Sequence, residues 1–317
     1  MGSSKTAVVA LGGNAISPQN EEDTIVNQFR RTRESLGAIL HLVKNNYHLA
    51  ITHGNGPQVG NALLRVELSR GKAPILPLGI CVADVSGGMG YMIEQSLQNR
   101  LRLENIPRDV VTLVSEVIVN KDDPSILNPT KFIGQFYDED KAKRLADESR
   151  WTVREDPIRS GWRRVVASPV PREIVNHRVI RQLVESETIV ITVGGGGIPV
   201  YIEKDGSYEG VDAVIDKDRA SAVLARDIGA SEFFIITDVP EVYVNYRKAN
   251  QQALREVALA EMEQYAEQGH FGAGCMAPKI EAAITFLHEG GEQVTITSIE
   301  HLKEAEQGER GTIIRKA

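Results

Sequence analysis

Short apolar runs alternate along this chain with longer stretches whose apolar residues recur at helical spacing. Runs at residues 7–11, 48–52 and 188–193 are rich in aliphatic side chains and end close to glycine, which is typical of buried strands followed by turns. Between the first two runs, apolar residues recur at gaps of three, four and seven, so we predict a helix over residues 21–45 with one buried face. The residues on that face are Ile25, Phe29, Leu36, Ile39, Leu40 and Val43.

The alternation of strands and helices continues to the end of the chain. Pro57 suits the first turn of a helix after the second strand, and Asp205-Gly206 predicts a hairpin turn between residues 200–203 and a strand from Tyr208. Further helices are predicted at 89–103, 172–185, 218–228, about 259–267 and 278–287, and further strands at 110–119, 233–236, 293–297 and 311–314. Strands joined by helices predict an α/β fold, a three-layer sandwich with a central, mostly parallel sheet covered by helices on both faces.

Residues 120–170 break this pattern. The segment is polar, contains both tryptophans and carries three Asp-Pro or Asn-Pro pairs. About fifty residues would struggle to build a hydrophobic core alone. We therefore interpret the segment as an excursion from the main sheet, a flap or small subdomain, within a single domain spanning residues 1–317.

Composition and charge narrow the classes of function. Of the 317 residues, 42% are hydrophobic and 25% charged, as in an ordinary soluble protein. The net charge of −7 argues against a binder of nucleic acid or of anionic membranes, but it leaves room for local basic sites. No apolar run approaches the roughly 18 residues of a membrane span, and no secretory signal follows the start. Cys81 and Cys275 are too few and too distant for a disulfide framework or a zinc site, so we expect a reducing, cytoplasmic location.

Three of the predicted strands end in glycine clusters. The clusters are Gly12-Gly13-Asn14, Gly54-Asn55-Gly56 and the four glycines at 194–197. Ligands bind open α/β sheets at the carboxyl ends of the strands, and glycine lets backbone N–H groups approach an anion closely. Turn chemistry alone would explain one such cluster, but three at equivalent places favour an anion site.

The common nucleotide-binding fingerprints are not met in this sequence. Gly71-Lys72 is followed by Ala73 and lacks the earlier glycine of a P-loop, and the pattern G-x-G-x-x-G fails at Val59 and at Pro199. The sequence therefore indicates anion binding, but neither a Walker ATPase nor an NAD enzyme.

Three lysines stand where they could neutralise a phosphoryl group in transfer, a reaction that needs positive charge on the phosphoryl oxygens and little covalent help. Lys131 lies in the 120–170 excursion, and Lys217 and Lys279 stand at predicted helix starts. A lysine is unfavourable there because the helix dipole is already positive, unless an anion lies between. Taken singly, each lysine is explained as a solvated surface charge. Asp218 is expected to cap a helix and could also hold neighbouring lysines in position, whereas His53 is expected to have a hydrogen-bonded structural role.

Eight motifs follow one another along most of the chain. They are ALGGNA (10–15), THGNGPQVG (52–60), NPTKFIG (128–134), GWRRVVASP (161–169), GGGGIPV (194–200), GVDAVIDKD (210–218), ITDV (236–239) and MAPKIEAA (276–283). Together they resemble the carbamate kinases, members of the amino acid kinase superfamily. One motif would be weak support, but eight in the same order are specific.

The resemblance implies reversible phosphoryl transfer between carbamoyl phosphate and ADP, giving ATP and carbamate, with Mg²⁺ on the nucleotide phosphates. It also implies an amino acid kinase-like fold, a homodimer, and a subdomain protruding over the active site, which residues 120–170 should form. The family acts mostly in the ATP-forming direction, in fermentative breakdown of arginine or related carbamoyl compounds. The implied partners are small molecules, without nucleic acid or membrane.

The roles of the site residues transfer by motif position. Lys131 is implied to reach the transferred phosphoryl group, Lys217 and Lys279 to contact the phosphates and the transferring group, and Asp218 to orient them. Many relatives in the wider superfamily have a lysine where Ala10 stands, so Lys131 should substitute for it. No protein side chain is implied as a metal ligand. The carbamate and phosphoryl site is implied to be lined by Gly12, Gly13, Asn14, Gly54, Asn55 and Gly56, and the nucleotide site by Gly195, Gly196, Asp238, Val239, Tyr243, Met276 and Lys279.

The chain also departs from the family pattern. Residues 82–89 (VADVSGGM) differ from the usual AMSQG, and Ser115-Glu116 replace a usual Thr-Gln pair. Both changes are expected near the pocket for the small substrate. They leave open a kinase of the same fold for another small acyl or carbamoyl substrate. In a different class, a non-catalytic sensor of nucleotide or carbamoyl phosphate also stays open.

Overall fold

The structure, a computed structural model, describes residues 5–13, 16, 24–149, 151–156, 160–272 and 276–316. Of the residues singled out above, Asn14 and Cys275 lie outside these ranges. The strands are β1 Thr6–Leu11, β2 His48–His53, β3 Val110–Thr112, β4 Glu116–Val119, β5 Lys131–Tyr137, β6 Thr152–Glu155, β7 Trp162–Val166, β8 Pro171–Ile174, β9 Ile189–Ile191, β10 Ile198–Ile202, β11 Tyr208–Gly210, β12 Glu232–Thr237, β13 Val242–Val244, β14 Gln252–Leu254, β15 Glu256–Ala258, β16 Gln293–Ser298 and β17 Thr312–Arg315. The α-helices are α1 Ile25–Lys44, α2 Gly56–Leu68, α3 Leu78–Leu103, α4 Pro124–Leu127, α5 Glu139–Ser149, α6 His177–Glu185, α7 Lys217–Ile228, α8 Leu259–Glu267, α9 Ala277–His288 and α10 Leu302–Glu306.

The main sheet confirms the predicted α/β fold. Within the described residues it has eight strands in the order β15-β17-β16-β12-β1-β2-β9-β3. Neighbouring strands from β16 to β3 are parallel, and β17 runs antiparallel to β16. The carboxyl ends of the parallel strands therefore lie along one edge of the sheet.

Both faces of the main sheet are buried. Val8 and Ala10 of β1 lie in a hydrophobic core with residues of α6, α7, α8 and α9, whereas Val9 and Leu11 lie in a second core with residues of α1 and α3. All four side chains are at most 2% exposed. Because helices cover both faces, a central strand such as β1 has a nearly continuous apolar sequence.

The sequence prediction for helix α3 was wrong about its start, which is Leu78 rather than residue 89. The glycines at 87, 88 and 90 weaken the helical signal, yet the helix continues through them. An ideal Cβ on Gly90 would lie 2.2 Å from Thr112 Cγ2. Glycine therefore serves the close approach of α3 to β3 at this point.

Two other predictions were wrong because a single predicted strand or helix is two separate elements in the structure. The predicted strand 110–119 divides into β3 of the main sheet and β4 of a second, four-stranded sheet of order β11-β10-β4-β8. The predicted helix 172–185 begins as strand β8, which pairs antiparallel with β4, and becomes helical only at His177. Both errors arise because strand pairing with residues distant in sequence decided the outcome, and local periodicity carries no signal of it.

Residue Ile25 was also misplaced by the helical pattern. It is 58% exposed, while Leu36, Ile39, Leu40 and Val43 form the buried face of α1. The predicted hairpin is confirmed, since Asp205-Gly206 joins the antiparallel strands β10 and β11. None of the helices in the described part of the chain is long and apolar enough to span a membrane.

Residues 120–170 contain a small antiparallel sheet of order β5-β7-β6, together with α4 and α5. Its side chains Ile133 and Val166 pack in a third hydrophobic cluster with Val59 of α2 and Val82 of α3. The small sheet therefore shares its core with helices that flank the main sheet.

Candidate active site

The first two glycine clusters and a lysine meet at the carboxyl edge of the main sheet. The N–H of Gly54, after β2, donates to Leu11 O at the end of β1 at 3.1 Å. An ideal Cβ on Gly54 would lie 3.2 Å from Gly13 N and 3.3 Å from Lys217 Cδ. Gly12 approaches the neighbouring strand more closely, since its Cβ would lie 2.8 Å from Ile236 O of β12. The approach at Gly12 therefore requires glycine, and the approach at Gly54 leaves little room for a side chain.

The third cluster, after β9, packs against the second. Gly195 and Gly196 have φ values of 66° and 95°, in the region that favours glycine. An ideal Cβ on Gly195 would lie 2.0 Å from Asn55 Nδ2, and one on Gly196 would lie 2.7 Å from Ile215 O. Asn55 is buried and immediately precedes Gly56, the first residue of α2. Glycines from all three clusters are thus brought to one place.

The two departures from the family pattern lie beside the third cluster. Ser86 of α3 is buried and donates its hydroxyl to Gly194 O at 3.0 Å. The hydroxyl of Ser115 lies 2.5 Å from Thr192 Oγ1, and both groups are buried. Between the two contacts, Val193 has φ 51°, a left-handed conformation that is strained for a β-branched residue. The two serine hydroxyls therefore support the backbone where the strand turns into the loop.

An aspartate and two lysines form the charged centre of the site. Asp218 is buried; its Oδ1 accepts a hydrogen bond from Lys217 Nζ at 2.5 Å, and its Oδ2 accepts one from Lys279 Nζ at 2.9 Å. Lys217 is the first residue of α7, and Lys279 lies in the first turn of α9. Two helix starts therefore face each other across one carboxylate.

The charge state of this centre follows from its burial. Burial alone would raise the pKa of Asp218, but the ammonium groups of Lys217 and Lys279 hold it below its ordinary value. Burial lowers the pKa of Lys217, and the Asp218 carboxylate offsets part of that effect. The centre thus combines two lysines with one carboxylate at two positive helix ends, an arrangement that suits an anion.

Lys131 reaches the same region from the small sheet. It is the first residue of β5; its Nζ donates to Ile215 O at 3.2 Å and lies 3.6 Å from Asp216 Oδ2. Burial lowers the pKa of Lys131, and Asp216 offsets part of that change. Its side chain remains 30% exposed, so it is not sealed off from solvent.

Asp216, and not Asp218, is the N-cap of α7, which corrects the expectation from the sequence. Its Oδ1 accepts hydrogen bonds from the N–H groups of Asp218 at 3.0 Å and Arg219 at 3.3 Å. Because Asp216 satisfies these helix amides, the Asp218 carboxylate is directed to the two lysines. Asp216 was not singled out from the sequence as a site residue, although it lies in the same GVDAVIDKD motif.

His53 packs between the second and third glycine clusters. It is buried, and its Nδ1 lies 3.2 Å from Gly54 O. An ideal Cβ on Gly194 would lie 2.5 Å from Nε2 of the ring. Burial, with a smaller effect of the nearby Lys217 charge, lowers the pKa of His53 to about 4, so the ring is neutral near pH 7.

Four residues expected around the nucleotide lie at three elements: after β12, in β13 and at the start of α9. Asp238 and Val239 directly follow β12, with Asp238 exposed and Val239 partly buried. Tyr243 lies in β13 and donates its hydroxyl to Glu241 Oε2 at 2.9 Å. Met276 directly precedes α9 and packs against the main core. Met276 and Lys279 of the lysine cluster thus both lie at the start of α9.

Glu241 is a buried carboxylate that sequence reasoning missed. It is 4% exposed, and besides Tyr243 it pairs with Arg255 Nη1 at 3.0 Å and Arg310 Nη1 at 3.1 Å. These contacts lower the pKa of Glu241 although burial alone would raise it. Its arginine partners come from distant parts of the chain, so no local pattern could have pointed to the cluster.

Comparisons with known proteins place the chain in a family. The profile described as "Amino acid kinase family" matches residues 5–298. Carbamate kinase from Pyrococcus furiosus is 44% identical over 310 residues, covering 97% of this chain and 98% of that protein. Carbamate kinase-like protein YahI from Escherichia coli is 44% identical over 98% of both chains. Carbamate kinase from Giardia lamblia bound to AMP-PNP superposes with a TM-score of 0.94 at 39% identity and is covered completely, as is this chain. These full-length matches in sequence and structure show that the chain belongs to the amino acid kinase family and, within it, to the carbamate kinases.

Proposed function

We propose that this protein catalyses reversible phosphoryl transfer between carbamoyl phosphate and ADP, forming ATP and carbamate. Carbamate then decomposes to ammonia and carbon dioxide. The observation that carries the proposal is the Asp218 carboxylate, which holds Lys217 and Lys279 at two helix starts. Lys131, the first residue of β5, reaches the loop before α7 and donates to Ile215 O. The full-length similarity to carbamate kinases supports the choice of substrates.

The reaction requires charge and position rather than a general base. A β-phosphate oxygen of ADP attacks the phosphorus of carbamoyl phosphate, the P–O bond to the carbamoyl group breaks, and carbamate leaves with the electron pair. Both the attacking oxygen and the leaving group are anions, so no proton has to be removed to start the reaction. The lysines neutralise the phosphoryl oxygens, and glycine N–H groups add donors without crowding them.

The proposed division of roles rests on the motif positions of the residues and is supported by the meeting of the lysines at one site. Lys131 stabilises the transferred group, Lys217 and Lys279 contact the phosphates, and Asp218 orients the two lysines. The carbamate and phosphoryl group would be held by Gly12, Gly13, Asn14, Gly54, Asn55 and Gly56, and the nucleotide by Gly195, Gly196, Asp238, Val239, Tyr243, Met276 and Lys279.

Three further proposals accompany this function. Magnesium would bind the nucleotide phosphates, which fits the engagement of both Asp218 oxygens by lysines. On the family resemblance, the protein would act as a homodimer in the cytoplasm. Nucleotide use is supported by the structural similarity to the Giardia lamblia carbamate kinase, which is bound to AMP-PNP.

The proposed function is tested by ATP formation from carbamoyl phosphate and ADP, with and without Mg²⁺ and with correction for spontaneous breakdown of carbamoyl phosphate. Acetyl phosphate serves as the competing acyl phosphate. We expect Mg²⁺-dependent ATP formation that is far faster with carbamoyl phosphate. Faster turnover of acetyl phosphate would point to a different small substrate and to the region around Ser86. A folded protein that binds ADP but forms no ATP from either compound would indicate a sensor.

The phosphate contact of Lys279 has its own test. Lys279→Ala should weaken ADP binding and lower turnover together, because the same ammonium group serves both. ADP affinity measured by calorimetry decides the point. An affinity equal to that of the wild-type protein would show that the assigned phosphate contact is wrong.

A further inference from the structure

The carboxylate of Asp216 stands between two parts of the site. Its Oδ1 accepts hydrogen bonds from the N–H groups of Asp218 and Arg219 at the start of α7, at 3.0 and 3.3 Å. Its Oδ2 lies 3.6 Å from Nζ of Lys131, which belongs to the small sheet. The Asp216 side chain therefore caps the helix that carries Lys217 and also faces Lys131 of the small sheet.

The loop before this cap is docked on the small sheet through its backbone. Ala213 forms a parallel bridge with Ala167, which directly follows β7, and the N–H of Val214 donates to Ala167 O at 3.0 Å. The ammonium group of Lys131 donates to Ile215 O, on the same loop, at 3.2 Å. The anchor points of Lys131 are thus consecutive residues of one loop whose place is fixed by β7.

We propose that Asp216 is a positioning residue for Lys131. Its carboxylate holds the ammonium group beside the start of α7, so that Lys131 meets the transferred phosphoryl group in a fixed place. An ammonium group has three donors. One of them is used by Ile215 O, and at 3.6 Å the contact with Asp216 is an ion pair rather than a strong hydrogen bond. Lys131 therefore keeps a donor for a phosphoryl oxygen. This inference rests on the proposed function for the identity of the phosphoryl group.

A second ion pair joins the same two parts of the chain and offers a matched control. Arg164 of β7 donates to Asp212 Oδ2 at 2.7 Å, and the Asp212 side chain is 58% exposed. The Arg164 guanidinium lies over the ring of Trp151, at 4.8 Å from its centroid. Asp212 thus links the small sheet to the loop as Asp216 does, but through a different cation.

The electrostatic surroundings of Lys131 make the proposal measurable. Burial and the charge of Arg219 lower the pKa of Lys131, whereas Asp216 and Asp218 raise it. On β7, which pairs with β5, the nearby cations are paired with other carboxylates: Arg163 with Asp156 and Arg164 with Asp212. Removal of the Asp216 charge should therefore lower the pKa of Lys131 further, and removal of the Asp212 charge should leave it nearly unchanged.

The experiment compares Asp216→Asn and Asp212→Asn with the wild-type protein. Asparagine caps a helix as well as aspartate does, so Asp216→Asn removes the charge and keeps the cap. The first readout is the pH dependence of acetic anhydride labelling at Lys131, followed by mass spectrometry, which needs no turnover. The second is kcat for ATP formation from carbamoyl phosphate and ADP, with ADP affinity and thermal midpoint measured alongside.

We expect Asp216→Asn to lower the apparent pKa of Lys131 and to lower kcat about 10- to 100-fold through loss of a fixed geometry. ADP affinity and the thermal midpoint should stay close to the wild-type values, and Asp212→Asn should match the wild-type protein throughout. An unchanged titration of Lys131 in Asp216→Asn would overturn the proposal, and so would an unchanged kcat. Equal losses in both variants would overturn it too, because docking of the small sheet would then explain them. If the wild-type protein formed no ATP but Lys131 titrated as expected, the proposed function would fail while the link between Asp216 and Lys131 stood.

Discussion

At the scale of single residues, the organisation of the charged centre depends on Asp218. Its two oxygens hold Lys217 and Lys279, and both lysine side chains are more than four-fifths buried, at 14% and 13% exposed. Burial of charges in this way is tolerable only when a partner carboxylate is present. A substitution of any one of these three residues should therefore disturb the other two.

Asp218→Asn is predicted to lower kcat about 100- to 1,000-fold, because the lysines lose the carboxylate that sets their positions and that offsets the effect of burial on the pKa of Lys217. Steady-state kinetics with carbamoyl phosphate and ADP provide the measurement. Asp205→Asn is the control, since Asp205 lies in the remote hairpin turn where asparagine is also accepted. A variant at Asp218 with near wild-type kcat would contradict the assignment.

His53 should make the protein acid-sensitive. Its pKa of about 4 in the folded protein lies below the ordinary 6.5, so the unfolded chain takes up the proton first as the pH falls. The stability from neutral His53 is fully present above pH 6.5 and is lost as the pH falls towards 4. Linkage gives about 2 kcal/mol between pH 7 and pH 5.

The measurement for His53 is the free energy of unfolding in urea at pH 7 and pH 5, for the wild-type protein and for His53→Gln. The wild-type protein should lose about 2 kcal/mol more than the variant over this range. Contributions from the rest of the chain are shared by both proteins and cancel in the comparison. Equal losses would mean that His53 is not the buried neutral group described here.

At the scale of elements, the loop after β9 is predicted to need Gly196 for more than its backbone angle. Gly196 and Gly206 both have positive φ, 95° and 89°, but only Gly196 has a neighbour in the way of a Cβ, Ile215 O at 2.7 Å. Gly206→Ala should cost about 1 kcal/mol of stability and leave kcat unchanged. Gly196→Ala should cost more and also lower kcat/KM, as thermal unfolding and kinetics would show. Equal losses of stability and equal kcat/KM in the two variants would contradict the close approach of Gly196 to Ile215 O.

Helix α3 supplies a second matched pair of glycines. Gly88 is exposed with no atom within 4 Å of an ideal Cβ, whereas a Cβ on Gly90 would clash with Thr112. Gly88→Ala is therefore predicted to stabilise the protein by about 1 kcal/mol through helix propensity, and Gly90→Ala to destabilise it by separating α3 from β3. Denaturant unfolding measures both, and a stabilising Gly90→Ala would contradict the packing of this helix.

The same helix shows where local sequence signals stop being sufficient. Its C-terminal half was predicted because apolar spacing is regular there, while its first half was missed because glycine lowers helix propensity and tertiary packing restores it. Strand 110–119 was predicted as one element because most of its residues are β-branched and favour strands. It divides at Ser115, whose carbonyl accepts from Ile198 N of another sheet at 3.0 Å.

At the scale of the whole molecule, the parallel sheet and its ligand edge could be predicted, because each strand and glycine cluster carries its own local pattern. The four-stranded sheet could not, since pairs such as β4 with β8 and with β10 join distant segments. In the site, Lys217 and Lys279 were singled out from their predicted helix starts, and Lys131 from its place in the polar excursion. Asp216 was not recognised, because its proposed role depends on its contact with Lys131, which is distant in sequence and lies in the small sheet.

The measurement that tests the central claim most directly is turnover of Lys131→Ala at saturating ADP, set beside its ADP affinity. Lys131 is assigned to the transferred phosphoryl group, and the Asp218 cluster to the nucleotide phosphates. We therefore predict a kcat about 100- to 1,000-fold below wild type, with ADP affinity nearly unchanged. Wild-type turnover in Lys131→Ala would contradict this assignment.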